Sequence, residues 1–474
     1  MRAVRIPVHV NSRLVIPAMP EAARKLLVRA FTHVNPEIEK RRRLGYSTYG
    51  VPTKIETFRP LGEAGLSLPR GGTDKVRTAF SSLGLVPGWV DERIRLPDVS
   101  FPPLGITLRP EQDAAVARLV QKEQGLLRAG TGAGKTCCAF GVVVTARQPA
   151  LVVMRSDALL KQWHERVRSQ MGLAKRDIGI IQGSKRRVGI LTLALQQTLN
   201  SDSFPMADLV PLVGLVLIDE VQGVGSATFQ NTVDQFPARY RLGVSADERR
   251  KDAMEPIIYD VMGGVVYEID KSELEKSGAI TPVHVHVVPT GYEDPAWMAG
   301  GRDTAKVRTA MSLDGERNEL IMTVARRMLA GGQVPLVVFV HLREHAKYLA
   351  DVLFYEAGIP CGLLLGGAED ATRFAEDRVR LERGDIQVAC GTYAAIGQGI
   401  DIPNLCGGIA ASPIGDNRQF FGQVSGRLCR ASPGKVAGHL VYLWDDGMFG
   451  RQLKRLQEWS RGRAVVVELD RLFV

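Results

Sequence analysis

Most of the chain alternates short apolar runs with stretches whose apolar positions recur at helical spacing. Between residues 104 and 272 the runs fall at 150–154, 188–195, 213–220, 240–246 and 264–269. Between 313 and 474 they fall at 335–340, 361–366, 387–392, 407–412, 438–444 and 464–469. Apolar runs of strand length separated by helices predict parallel sheets with crossover helices. Two such series predict two α/β domains, joined by a connector over 273–312 where Pro282, Pro289, Gly291, Pro295, Gly300 and Gly301 interrupt the pattern. The first hundred residues follow another rhythm. Val4 to Pro17 alternates as strands do, and Pro20 to Phe31 has a helical period with proline in its first turn. A small α+β domain over 1–100 is therefore expected, separated from the rest by the proline-punctuated segment Pro97 to Pro103.

Charge sharpens this division. The net charge is +10, and residues 1–100 hold 17 Lys and Arg against 9 Asp and Glu, a net of +8. A basic domain of this kind has the electrostatic footprint of a phosphate-backbone binder. Its densest cluster, Lys40-Arg-Arg-Arg43, is followed by Tyr46 and Tyr49. Arg41, Arg42 and Arg43 are read as phosphate contacts, while the tyrosines suit either base stacking or the local core. The six cysteines lack C-x-x-C spacing, which argues against a zinc or iron–sulfur site and against a disulfide framework. No signal-peptide pattern and no run of 18 apolar residues occurs, so a cytoplasmic protein without a membrane partner is expected.

Three short patterns carry chemistry. Ala129-Gly-Thr-Gly-Ala-Gly-Lys-Thr136 follows the apolar run Gly125-Leu-Leu127 and has the form of a phosphate-binding loop. Gly130, Thr131, Gly132, Ala133 and Gly134 would let backbone N–H groups wrap the phosphates of a nucleoside triphosphate. Lys135 would reach the β/γ-phosphates, and the Thr136 hydroxyl would complete a Mg²⁺ shell. Leu215-Val-Leu-Ile-Asp-Glu-Val-Gln222 reads as a buried strand delivering two acids to the carboxyl edge of a sheet. Asp219 would hold Mg²⁺ and Glu220 would deprotonate the attacking water. Near the C-terminus, Gln423-Val-Ser-Gly-Arg-Leu-Cys-Arg430 has Arg427 and Arg430 three residues apart, which helical geometry puts on one face. Guanidinium groups there can neutralise charge on a transferred phosphoryl group.

The order of these patterns resembles that of the superfamily 2 helicases and translocases over residues 100 to 474. Leu108-Arg-Pro-Glu-Gln112 is similar to the Q motif, which implies that Gln112 reads adenine. Leu151-Val-Val-Met-Arg-Ser156 with Leu160-Lys-Gln-Trp163 resembles motif Ia, and Ile190 to Gln197 motif Ic. Asp219 to Gln222 stands as motif II, Leu242 to Arg249 as motif III, Val337 to Arg343 as motif IV, Gly391 to Pro403 as motif V and Gln423 to Arg430 as motif VI. The resemblance is closest to the DEAH-like XPB and UvsW type of bacteria and phages. It implies two tandem RecA-like domains, nucleotide contacts from Asp401 and Gln423, and nucleic-acid contacts from Arg155, Thr192, Arg343 and Thr392. Two positions depart from the pattern: motif II ends in Gln222 instead of His, and motif III has Asp247 where a hydroxyl is usual.

The activity implied is ATP-dependent movement along, or remodelling of, single-stranded or branched DNA, with Mg²⁺ as cofactor. RNA is the alternative substrate. An ATP-gated motor subunit of a restriction or defence complex is a third reading, for which Asp247 leaves room. The sequence identifies no protein partner.

Overall fold

The computed structural model describes residues 4–473 other than 44, 131, 226, 247–253, 299–302, 368, 398–401 and 416–417. It divides into two compact units, residues 1–270 apart from loop residues 131–133, and residues 271–474.

The first unit contains an eight-stranded sheet. Its order is Lys185–Arg187, Ile178–Gln182, Leu191–Leu195, Ala150–Met154, Leu215–Asp219, Tyr240–Ser245, Gln124–Ala129 and Val265–Ile269. Every pairing is parallel except that of the edge strand Lys185–Arg187. The central strands Ala150–Met154, Leu215–Asp219 and Tyr240–Ser245 are buried along their whole length, as apolar strands covered on both faces must be. Because they run parallel, their carboxyl ends share one edge, and the side chains that follow them converge there.

The first ninety or so residues build a second, smaller sheet in the same unit. Its order is Arg59–Leu61, Gly65–Pro69, Arg13–Ile16, Val4–Val10 and Leu85–Asp91. Val8, Leu14, Ile16, Leu27, Phe31, Leu66, Leu68 and Phe80 form its core. This region does not stand apart as the sequence suggested. Arg13 pairs with buried Asp234, Arg241 donates to Ser12 O at 2.7 Å, and Arg70 donates to Ala238 O at 2.7 Å. Buried ionic groups of this sort demand their partners, since leaving either one unpaired would be costly. Part of the basic excess is thus internal: Arg13 and Arg70 are buried and cannot face a phosphate backbone.

The second unit holds a seven-stranded, wholly parallel sheet. Its order is Cys361–Leu364, Val388–Thr392, Leu336–Val340, Gly407–Ala410, Gly438–Trp444, Val283–Pro289 and Ala464–Val466. The strand Val283–Pro289 corrects the reading of 273–312 as a connector. Its alternation of valine with His284 and His286 gives a half-buried period that the flanking prolines obscured.

Candidate active site

The strand Gln124–Ala129 leads into the glycine loop, and the helix Lys135–Ala146 leaves it. Gly132 and Gly134 have φ of +89° and +82°, a left-handed backbone that glycine adopts without penalty. A Cβ on Gly134 would stand 2.2 Å from Nε2 of Gln112. The amide of Gln112 therefore lies against the loop. Its Oε1 accepts from the Arg109 N–H at 3.0 Å, closing a reciprocal cap on the helix Pro110–Lys122. Lys135 Nζ donates to Ala129 O at 3.3 Å, across the loop. Ala133 is buried, and a Cβ on Gly130 would meet open space.

Asp219 ends its strand and is buried. Trp163 Nε1, from the helix Asp157–Gln170, donates to Asp219 Oδ2 at 2.7 Å. Trp163 is itself buried and meets Phe140 edge to face, with ring centroids 5.3 Å apart. Burial and the neighbouring Glu220 hold the Asp219 carboxyl above the ordinary range, while the indole N–H and Lys135 pull it back down. Glu220 has φ of +62°, a left-handed conformation that costs a non-glycine residue about 1–3 kcal/mol. Its N–H donates to Val244 O at 3.1 Å. Gln222 Nε2 donates to the Glu220 carboxylate, and Gln222 Oε1 accepts from Ser245 Oγ at 2.9 Å. The glutamine standing where histidine is usual thus joins the acid pair to the end of the next strand. Arg166 Nη1 donates to Thr136 Oγ1 at 3.2 Å.

These residues fit a triphosphate with Mg²⁺. Gly134 occupies a position where a side chain would collide, a lysine spans the loop, and a hydroxyl and a buried carboxylate supply oxygen for a hard cation. Among the described residues no group of three or more His, Cys, Asp or Glu could hold a metal by itself. Mg²⁺ bound largely by phosphate and water does not require one.

Arg427 and Gln423 lie on the helix Arg418–Leu428 in the second unit. That helix ends before Arg430, which forms an antiparallel bridge with Ile280 and whose carbonyl accepts from Lys435 Nζ at 3.0 Å. A shared helical face for Arg427 and Arg430 is therefore corrected. Thr131, Asp247 and Asp401 lie outside the described residues, as does the side chain of Arg43.

The expected nucleic-acid contacts divide sharply. Arg155 is exposed beside Gly223, where a Cβ would stand 2.7 Å from its Cδ, and Arg42 is exposed. Thr192 is corrected: it is buried near the start of its strand, and its hydroxyl donates to Gly189 O at 3.2 Å. Thr392 is also buried, and its Oγ1 accepts from the Ala395 N–H at 3.3 Å, capping a short helix. Neither hydroxyl faces outward. Arg343 is held by Glu369 at 2.8 Å and by Asp370. Arg41 turns back to Glu37 at 3.2 Å and to Ser47 O at 3.1 Å.

Sequence reasoning did not assign roles to Trp163, Arg166 or Ser245. Trp163 had a readable signal, since a buried indole must find an acceptor for its single N–H. No helix among the described residues is long and apolar enough to cross a membrane.

Two sheets of α/β type, one carrying a glycine loop and an acid pair at its carboxyl edge, give the fold of tandem RecA-like domains. The model of the type III restriction enzyme res subunit matches residues 105–248. The DNA 3'-5' helicase XPB of Kineococcus radiotolerans is 28% identical over 229 residues, 47% of this chain and 40% of that protein. The protein named "Probable helicase D10" of Escherichia phage T5 is 24% identical over 369 residues, 76% of each chain. The crystal structure of the Pyrococcus furiosus Hef helicase domain aligns with a TM-score of 0.51 at 14% identity, over 72% of this chain and 98% of that one. That likeness is one of fold. Over part of its length the chain is thus similar to XPB-type and phage helicases. It spans about half the length of the first curated relatives it matches, 40% and 53% of two of them.

Proposed function

We propose that the protein hydrolyses ATP to move along or remodel DNA, single-stranded or branched, as a DNA helicase or translocase. The motor would comprise residues 104–272 and 313–474, with 1–100 as a DNA-binding region. The observation that carries this reading is the joined set Lys135, Asp219, Glu220, Gln222 and Ser245 at one sheet edge. The names of the relatives, a DNA 3'-5' helicase and a phage helicase, support DNA as the track.

The chain's own groups have distinct tasks in this reading. The loop amides and Lys135 hold and orient the phosphates. Bound Mg²⁺ would neutralise charge on the phosphate oxygens, held through Asp219 and Thr136. Trp163 fixes which Asp219 oxygen turns toward the loop and favours its ionised form. Glu220 takes a proton from the attacking water, and Gln222 fixes the direction in which that carboxylate points. Arg427 and Arg430 would neutralise charge as the phosphoryl group is transferred. Arg42 and Arg155 are the exposed cations proposed for the DNA backbone, giving little sequence preference.

The test is to compare ATPase rates side by side with single-stranded DNA, duplex, forked DNA and RNA. Stimulation by DNA, strongest with a fork or single strand, is expected. Stimulation by RNA alone would move the protein to the RNA helicases.

A further inference from the structure

The strands Thr32–Val34 and Lys54–Glu56 pair antiparallel, Val34 opposite Lys54, and form a two-stranded ribbon separate from the three larger sheets. Between them residues 35–53 make an excursion with its own order. Asn35 N–H donates to Thr53 O at 3.0 Å, and Asn35 Nδ2 to Pro52 O at 2.8 Å, closing its neck. The helix Pro36–Arg43 buries Ile38. Past the helix, Tyr46 N–H donates to Arg41 O at 2.9 Å, and Tyr49 N–H to Ser47 Oγ at 3.1 Å.

This loop is held by hydrogen bonds, yet it turns its largest apolar side chains outward. Tyr46 is 66% exposed and Tyr49 96%, with Val34 at 81% nearby. Rings presented on an ordered backbone lose little freedom when they engage a partner. Charge alone does not explain the excursion. From 34 to 56 there are five cations, Lys40, Arg41, Arg42, Arg43 and Lys54, against three acids, Glu37, Glu39 and Glu56. Two of those cations are already engaged, Lys40 with Glu37 at 3.0 Å and Arg41 with Glu37 and Ser47 O. A modest positive balance beside two outward rings fits a strand whose bases are open to stacking better than a closed duplex.

The ribbon is also braced. Asp260, buried on the helix Glu255–Met262 of the same unit, meets His33 Nε2 at 2.7 Å, Lys75 Nζ at 2.6 Å and Thr57 Oγ1 at 3.2 Å. His33 belongs to one ribbon strand and Thr57 directly follows the other. The stacking surface is thereby fixed to the unit that carries Lys135 and the acid pair.

We propose that Tyr46 and Tyr49 are base-stacking platforms for the unpaired strand of DNA beside a duplex end, with Arg42 and Lys54 alongside its phosphates. This rests on the DNA-motor reading above and names the DNA structure that the motor prefers.

The full chain is mixed with forked DNA carrying 2-aminopurine at the first unpaired base, and fluorescence and affinity are followed together. The unaltered protein quenches the probe. Y46A/Y49A abolishes the quench and weakens fork binding about tenfold per ring, while the slope of log K against log salt is unchanged because no phosphate contact is lost. Y46F/Y49F restores both readouts. Arg42→Gln leaves the quench in place and lowers the slope by about 0.7 to 0.9. An unaltered thermal midpoint shows that Y46A/Y49A is folded; should it drop, Y49A alone carries the test, since that side chain is almost wholly exposed.

Full quenching by Y46A/Y49A overturns the proposal, as does failure of the phenylalanine variant to restore stacking. If turnover of the unaltered protein is stimulated by DNA while the rings prove inert, the stacking inference fails and the motor reading stands. If the unaltered protein neither binds DNA nor responds to it, both fail.

Discussion

In the eight-stranded sheet, the strands Gln124–Ala129 and Leu215–Asp219 end in a glycine loop and a buried carboxylate. In the seven-stranded sheet, Leu336–Val340 and Val388–Thr392 end beside His341 and in Thr392, and the polar groups there turn inward. His341 Nε2 meets Pro413 O at 2.9 Å, Tyr393 Oη donates to Ser412 O at 2.7 Å, and Thr392 caps its own helix. Both sheets offer a row of parallel strand ends, the usual place for a ligand in this architecture. At the first edge a glycine loop opens directly into a helix that begins with Lys135, beside the buried Asp219, whereas at the second Arg343 is already engaged by Glu369 and Asp370. The fold provides the location, and a few residue choices at strand ends provide the chemistry.

The sharpest way to break this contrast is to disable the first edge one group at a time. Glu220→Gln should lower turnover by about a hundredfold or more while nucleotide still binds, because the base is lost and the loop is not. Lys135→Ala should abolish turnover together with nucleotide affinity. Retention of more than a few per cent of turnover by Glu220→Gln would take the base assignment away from that residue. Arg427→Ala should also cost about a hundredfold in turnover, measured at saturating ATP, if it neutralises phosphoryl charge as an arginine finger does.

A smaller effect sharpens the role of Asp219. Trp163→Phe keeps the ring and removes the N–H that favours the ionised carboxyl. Loss of a hydrogen bond to a charged group corresponds to a fall of about tenfold in turnover. Since that bond pulls the Asp219 pKa downward, the acid limb of the pH–rate profile should move to higher pH. A tenfold loss with an unmoved limb would mean that the indole only packs. Gln222→Ala should cost less still, about threefold to tenfold, as one neutral bridge between Glu220 and Ser245 is removed.

The second unit predicts a change in stability. His345 is buried against Asn318 Oδ1 at 2.8 Å, and burial, with Arg317 adding to it, lowers its pKa to about 4. The unfolded chain takes up this proton near pH 6.5, so the folded state loses stability as pH falls from about 6.5 toward 4. The loss from this one group approaches about 3 kcal/mol at the low end, an upper figure. His345→Gln, which keeps a donor for Asn318, should flatten the denaturation midpoint over that window. An unchanged pH dependence would assign the instability elsewhere.

Much of this organisation was legible along the chain because parallel strands are apolar throughout. The run 150–154 coincides with the strand Ala150–Met154. The glycine loop and acid pair were legible for a related reason, since their chemistry tolerates few residue types at fixed spacing. What escaped depends on contacts between distant residues. Val283–Pro289 hides its period behind two histidines, and Thr192 and Thr392 look like surface hydroxyls until their strands are seen to bury them. Arg427 and Arg430 keep helical spacing in sequence, but the helix stops at Leu428. Arg13 and Arg70 counted toward a basic surface, whereas pairing with Asp234 and backbone carbonyls draws them inside.

The central claim is that hydrolysis at the first sheet edge drives movement along DNA. It is tested most directly by displacement of a triplex-forming third strand from duplex DNA, with unaltered protein and Glu220→Gln in parallel. ATP-dependent displacement by the unaltered protein and none by Glu220→Gln is the expected result. DNA-stimulated hydrolysis without displacement, or equal displacement by both proteins, would contradict it.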